Sequence, residues 1–422
     1  MRRMAVVVMA LVCLVSVVGS TAEVTISFME VGDAAKQEAF DECYALWQEI
    51  NPHIKVEYFP LGYTESFDKI KVLYAAGEPF DVSPMYNPRY DSTFAQAGAL
   101  LPIDEYIAKE GIKEEHFLPG IFSTWDQFHA GRRIALPYGF TGEVLWYNSD
   151  LFDTSGLSYP PTSWQAESWT WRDFVEVAKK ITHDADGDGI PDVWGLANIP
   201  SASLMPFLWG QEIFNTDFSE FILPSQAGAD AIQQAADLAL VHGVAPKPGA
   251  APGGLFAGGQ GGMTFMGAWT MGEARSWNIV WNWGVQPKGT QGATIMYIDH
   301  LYVAKGDNAQ EAWEWAKFLT TNPQAQLIYA GKGNGKIPAL TRAAQQWVNR
   351  ELAQLYPGIS FNVLVDALPF DIGGRTGEAF PNWTRVSPTL SSAFNRIYAG
   401  EGPAYQVLNE IKTSVDAILR ER

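Results

Sequence analysis

Cysteine is nearly absent from this chain: two in 422 residues, Cys13 and Cys43. Cys13 falls in the apolar run at the start, and without that run Cys43 stands alone. No intrachain disulfide can then form, even in an oxidising compartment. The surroundings of Cys43, from Phe40 to Trp47, are apolar and helical in pattern, which favours burial over reactivity. Histidine is scarce as well. The six residues His53, His116, His129, His183, His242 and His300 are scattered, and none forms a His-x-x-His or His-Glu-x-x-His pair. A metal-dependent hydrolase therefore lacks its ligands. No Gly-x-Ser-x-Gly elbow is present, and no lysine followed by Ser or Thr completes a phosphate loop after the dense glycines of 249–267. Positive charge is short too, with 29 Lys and Arg against 47 Asp and Glu. So acidic a surface repels nucleic acid and anionic membrane and keeps the protein dispersed, so no nucleic-acid partner and a monomer are expected.

What the chain does have begins at its first residues. Met1-Arg2-Arg3-Met4 precedes an apolar run from Ala5 to Val18 that ends in Gly19-Ser20-Thr21-Ala22. A basic start, a short apolar stretch and small residues at its end make an export signal, residues 1–22. The run is shorter than the ~20 residues of a membrane span. Cleavage after Ala22 leaves Glu23 first and, with Arg2 and Arg3 gone, takes the formal charge from −18 to −20. Cys13 lies inside the run behind Val12 rather than behind a small residue at its end, so a lipid anchor is not expected. The product is a soluble periplasmic or extracellular protein. Its 400 remaining residues are enough for two domains.

Val24–Phe28 is a β-type run, followed by a helical pattern through Phe40, Tyr44 and Trp47 that stops before Asn51-Pro52. Ile54–Tyr58 alternates as a second strand. A second helix, marked by Phe67, Ile70 and Leu73, ends at Gly77, and Phe80–Val82 is a third strand. Strand, helix, strand, helix, strand indicates an α/β layer with a largely parallel sheet, whose ligands sit beyond the carboxyl ends of the strands. That directs attention to the loops at 29–33 and 83–89. Further on, Ile134–Pro137 is strand-like, Tyr138–Glu143 reads as a turn, and Val144–Tyr147 resumes as strand. Helices are expected at Trp171–Lys180 with Thr170 as N-cap, at Asp230–Leu240, at Ala309–Leu319 and at Tyr405–Leu419. The glycines of 249–267 suggest a flexible or closely packed loop.

Two features bear on ligands. The loop Asp184-Ala185-Asp186-Gly187-Asp188-Gly189-Ile190-Pro191-Asp192 sets carboxylates at steps 0, 2, 4 and 8, with the Ile190 carbonyl as a further oxygen. Gly189 permits the sharp turn of calcium-binding loops, and four carboxylates this close repel without a counter-ion. A structural Ca2+ held by Asp184, Asp186, Asp188, Ile190 and Asp192 is expected, although the usual twelfth-position glutamate is replaced by Gly195. The other feature is sixteen tryptophans, clustered at Trp164, Trp169 and Trp171 and at Trp269, Trp277, Trp281 and Trp283. Most belong to the core. Those in loops beside glycine suit the face of a sugar, whose C–H groups need burial while its hydroxyls need polar partners. A glycoside hydrolase is the competing reading. It needs two carboxylates about 5–10 Å apart, for which Glu30, Asp81, Glu143, Asp299 and Glu378 are candidates without a demonstrated pair. Binding without catalysis is preferred.

Four stretches, in order, carry a family likeness: Gly131-Arg132-Arg133-Ile134-Ala135-Leu136-Pro137-Tyr138; Leu145-Trp146-Tyr147-Asn148-Ser149-Asp150-Leu151-Phe152; Gly261-Gly262-Met263-Thr264-Phe265-Met266-Gly267-Ala268-Trp269; and Ala312-Trp313-Glu314-Trp315-Ala316-Lys317-Phe318-Leu319. Behind an export signal and over this length, the chain resembles the extracellular solute-binding proteins of bacterial ABC sugar importers, the maltose- and multiple-sugar-binding receptor group. The resemblance implies a two-lobed periplasmic-binding-protein-like α/β fold with interlobe crossing segments and a ligand cleft. One lobe would comprise residues 23–137 and 298–348, the other 138–297 and 349–422. Its function would be capture of an oligosaccharide or glycoside and delivery to a membrane ABC permease, with no bond broken. On that geometry Glu30, Tyr86 and Asn87 follow first-lobe strands, and Tyr138 and Glu143 flank the first crossing. Trp269 and Trp209 are stacking candidates, Tyr297 and Asp299 lie on the return crossing, and Trp383 is a last platform. Arg375 can pair with hydroxyls, or with the anionic group of a uronide or sugar phosphate, which remains an alternative ligand class. Tyr147 to Phe152 is expected to be framework rather than ligand contact.

Overall fold

Strand β1 (Val24–Val31) runs parallel to β2 (Ile54–Leu61), with Val24 opposite Ile54 and Val31 opposite Leu61. Between them α1 (Ala34–Ile50) buries Ala39, Phe40, Cys43 and Trp47, residues that share a face at a 3.6-residue period. The Asp33 carboxylate caps it by accepting from the Lys36 amide at 3.0 Å. Helix α2 (Tyr63–Ala76) ends where Gly77 turns left-handed. A short β3 (Val82–Pro84) then pairs parallel with β1. The computed structural model describes residues 23–84, 94, 97–122, 133–248, 252–377, 380 and 382–421. The expected export signal (residues 1–22), Glu378, and the candidates Tyr86 and Asn87 lie outside the described residues.

The centre of the molecule is β4 (Ala135–Asn148), a single strand of fourteen residues. The turn expected over Tyr138–Glu143 is absent. The chain stays extended through Gly139 and Gly142, with one irregularity between Pro137 and Gly139. These glycines serve close approach, not reversal. A Cβ on Gly142 would overlap the Met296 sulfur and come to 3.0 Å from the Ile295 carbonyl. From Ala135 to Gly142, β4 pairs antiparallel with β8 (Met296–Val303); from Glu143 to Asn148 it pairs with β6 (Gly261–Gly267) and β7 (Trp281–Gly284). One strand thus belongs to two sheet regions and joins them. The order across the sheet is β2-β1-β3-β8-β4-β6-β5, where β5 is Trp194–Leu196, and β7 and the short β9 (Ile337–Pro338) also pair with β4.

The glycine-dense stretch is likewise not a loop at its end. Gly261–Gly267 is a strand held between β4 and β5, where small residues let Ile181 approach. Residues 249–251 lie outside the described set. Helix α3 (Trp171–Ile181) starts at Thr170, which with Asp173 forms a reciprocal cap; α4 (Gln226–Leu240) starts at Ser225. Helices α5 (Ala309–Thr321), α6 (Trp383–Ala399) and α7 (Ala404–Arg420) complete the layers.

Each sheet region has its own core. On the first side Phe28, Trp47, Leu301, Trp315, Phe318 and Tyr329 pack together. On the other, Trp146 is fully buried with ring centroids 4.6 Å from Trp281 and 5.3 Å from Trp283. Most of the described tryptophans are therefore structural, each anchoring apolar area worth roughly 3–5 kcal/mol on truncation to alanine. Asn148 caps Ser149–Thr154 through its side-chain oxygen, 3.1 Å from the Asp150 amide, which is a framework role.

Candidate functional site

The two sheet regions meet at Gly142–Glu143 of β4, and Glu143, Trp269 and Tyr297 lie there. Trp269 follows the end of β6 and is 55% exposed, the most exposed of the described tryptophans. Its indole folds back over Gly267, where any Cβ would overlap the ring. Edge contact with Tyr297 at 5.4 Å and 79° holds it. Tyr297 lies near the start of β8 opposite Thr141, and Glu143 lies opposite Gly267. The outcome is an aromatic ledge at the junction, rigid at one edge and open elsewhere.

Asp299 comes two residues after Tyr297, on the same face of β8 because strand side chains alternate. It is buried and ion-paired with Lys336, which immediately precedes β9. Burial pushes the Asp299 carboxyl up from its ordinary range and the Lys336 ammonium down. Lys336 also lies 5.6 Å from the centre of the Tyr138 ring. Tyr138 itself is fully buried against Tyr329, ring to ring at 4.9 Å. Glu30, at the end of β1, has no exposure; it accepts from the Val31 amide at 2.8 Å and from the Tyr329 hydroxyl. Lys36 stands 3.9 Å from Glu30. A separate cavity of about 360 Å3 lies between α1 (Ala35, Glu38) and Met271 and Arg275, with Trp347 and Gly335 also in its wall; Glu30, Asp299, Lys336, Trp269 and Tyr297 do not line it. Its volume lies within the ~300–1,000 Å3 range of small-molecule sites.

The structure thus brings Trp269, Tyr297 and Glu143 to the junction, and places Glu30, Tyr138 and Asp299 in a buried group with Tyr329 and Lys336 on the first-sheet side. Other candidates have their contacts elsewhere. Trp209 is half-buried, edge-on to Trp171 at 5.2 Å. Trp383 is buried against Phe214 and Phe380 in the second core. Arg375 pairs with Glu212 and lies 4.9 Å over the Phe207 ring, so its charge is already engaged. Sequence reasoning missed Lys36, Tyr329 and Lys336. The signal was the glycine-interrupted run Gly331-Lys332-Gly333-Asn334-Gly335-Lys336, which lets a lysine emerge beside a crossing strand. Of the hydrolase carboxylates, Asp81 accepts from the Ser27 amide and hydroxyl at 2.8 Å each, a structural clamp between β1 and β3.

In the acidic loop, carboxylate oxygens of Asp184, Asp186 and Asp188 lie within 4.8 Å of one another on the exposed surface, an arrangement that can hold a metal ion. Asp184 also accepts from the Gly187 and Gly189 amides at 2.7 and 2.8 Å, bonds that hold its carboxyl below the usual range. Asp192 is turned to the Ala185 amide at 2.6 Å, and the Ile190 amide donates to Asp188 at 2.8 Å. The His183–Val193 backbone pair closes the loop at 3.0 and 3.2 Å.

Two sheet regions sharing crossing strands, with an aromatic ledge and enclosed polar groups at their junction, define a two-lobed binding protein. The chain belongs to the bacterial extracellular solute-binding proteins, whose family profile matches residues 26–326. A binding protein of Brucella abortus is 23% identical over 398 residues, covering 90% of both chains. The structure is similar to an ABC substrate-binding protein of Listeria monocytogenes in complex with cycloalternan, at TM-score 0.75 and 23% identity over 94% of this chain and 98% of that one. It is also similar to a cyclic alpha-maltosyl-1,6-maltose binding protein from Arthrobacter globiformis, at TM-score 0.77 and 18% identity over 95% and 100%. The protein is a periplasmic or extracellular solute-binding protein, not an enzyme. No described helix is long and apolar enough to cross a membrane.

Proposed function

We propose that this protein is an exported receptor that captures an oligosaccharide or glycoside between its lobes and delivers it, intact, to an ABC-type permease. The observation that carries the reading is the Trp269–Tyr297 ledge beside the buried Asp299–Lys336 pair. An apolar ring face next to paired polar groups is what a pyranose requires, and two of the similar structures are named for cyclic glucans. Trp269 stacks, held edge-on by Tyr297; Asp299 and Glu143 address hydroxyls, and Glu30 and Tyr138 brace them from behind. Tyr86 and Asn87 are further candidates for hydroxyl contact. Residues 23–137 with 298–348 form one lobe, and 138–297 with 349–422 the other. The engaged Arg375 leaves a uronide or sugar phosphate without its expected cation. The loop at Asp184, Asp186 and Asp188 takes Ca2+, because oxygen-only donors on a turning loop suit a hard cation of that size, and the ion's role is structural.

A thermal-shift screen of the chain from Glu23 onward tests this, using neutral and anionic mono- and oligosaccharides. Saturable stabilisation by a neutral oligosaccharide, recovered chemically unchanged, is the expected result. Stabilisation by no sugar, or release of shortened product, contradicts the reading.

A further inference from the structure

Behind the aromatic ledge, the described residues hold four charges withdrawn from bulk water. Glu30 is fully buried and bonded to the Tyr329 hydroxyl, and Lys36 stands beside it, donating to the Val31 carbonyl at 2.6 Å. Lys336 and Asp299 form the second pair. Two carboxylates and two ammoniums sum to zero, as burial demands of charges that survive it. The second pair is not sealed: the Asp299 and Lys336 side chains keep 6% and 13% of their surface. Asp299 shares its face of β8 with Tyr297, about 7 Å along the strand, a distance one sugar ring can bridge.

We propose that Asp299 and Lys336 form the polar half of a sugar subsite whose apolar half is Trp269 and Tyr297, and that Asp299, by neutralising Lys336, makes this subsite selective for neutral sugars. The proposal rests on the sugar-receptor reading. A hydroxyl both donates and accepts, so neighbouring hydroxyls satisfy a carboxylate and an ammonium held side by side. A ligand carboxylate or phosphate only accepts. It meets repulsion from Asp299 and finds the ammonium already neutralised, a penalty built into the site rather than a missing attraction. Lys336 therefore binds hydroxyls while its pairing denies it to anions.

Four proteins decide this: the wild type, Asp299→Asn, Lys336→Met and the double variant, each checked for folding by circular dichroism. Calorimetric titration uses neutral linear and cyclic malto-oligosaccharides as one arm, and glucuronate and glucose 6-phosphate as the other. The wild type binds a neutral member at least about tenfold more tightly than either anion, the scale of one unmatched buried polar group. Lys336→Met weakens the neutral ligand by roughly tenfold. Asp299→Asn, which releases the ammonium, moves the anion-to-neutral affinity ratio toward the anions by roughly tenfold, a shift that loss of a merely structural pair does not produce. Should Asp299→Asn fail to fold, the double variant, which buries no unpaired charge, is expected to lose both neutral affinity and discrimination. A Lys336→Met protein that binds like the wild type, or a ratio unchanged in the charge variants, overturns the proposal alone. A wild type that prefers the anions overturns the neutral selection and leaves a sugar receptor. Binding of no sugar overturns the receptor reading and this proposal with it.

Discussion

An indole lying across a glycine at the end of a strand can be removed without disturbing the core, which makes Trp269 a clean probe. Trp269→Ala is expected to cost about 1–4 kcal/mol in ligand binding with little change in unfolding free energy, measured by titration and denaturant melts on the same samples. Equal loss in both would assign the ring to packing. Cys43 supplies a second prediction at this scale. Burial pushes its thiol up to about 12 from the ordinary 9. The folded state then holds a proton that the unfolded state releases, so the stability linked to this group is complete below pH 9 and is lost as pH rises toward 12. Denaturant melts across that window should fall more steeply for the wild type than for Cys43→Ala. Legibility at this scale followed sequence locality. The exposed placing of Trp269 was readable because Gly267 stands two positions away; its contact with a sugar is the proposal. Lys336 was not, because its partner Asp299 is 37 residues distant and only strand pairing brings them together. The Glu30–Tyr329 bond spans 299 residues and leaves no trace in the sequence pattern.

Among the elements, helices were legible because period and caps are local: Thr170 and Gly77 mark termini that the structure retains. β4 was misread because glycine has two uses, and spacing alone does not distinguish reversal from close approach. The structure assigns Gly142 to the second use, so Gly142→Val should destabilise by about 1–3 kcal/mol through overpacking against Met296 and the Ile295 carbonyl. A denaturant midpoint equal to the wild type's would contradict that. The acidic loop makes a separate prediction. Calcium should raise the melting temperature saturably, a chelator should reverse the rise, and Asp186→Asn with Asp188→Asn should abolish it. A calcium-independent melting temperature would leave the cluster a solvated turn.

For the molecule as a whole, the division into two sheet regions was implied by family likeness more than by periodicity. Periodicity gave the first α/β layer but not the strand order, since β8 inserts between β3 and β4 from more than 150 residues downstream. Crossing strands shared by two lobes allow hinge motion about a few residues. Saturating sugar should therefore reduce the radius of gyration in small-angle scattering, and Trp269→Ala should lose that compaction at the same sugar concentration. The most direct test of the central claim is a calorimetric titration of the folded chain from Glu23 onward, with the sugar selected by thermal shift, followed by mass analysis of the recovered ligand. A saturable one-to-one isotherm, weakened by Trp269→Ala and ending with sugar of unchanged mass, is the predicted result. No binding heat at any of several temperatures, or sugar returned in pieces, would contradict it.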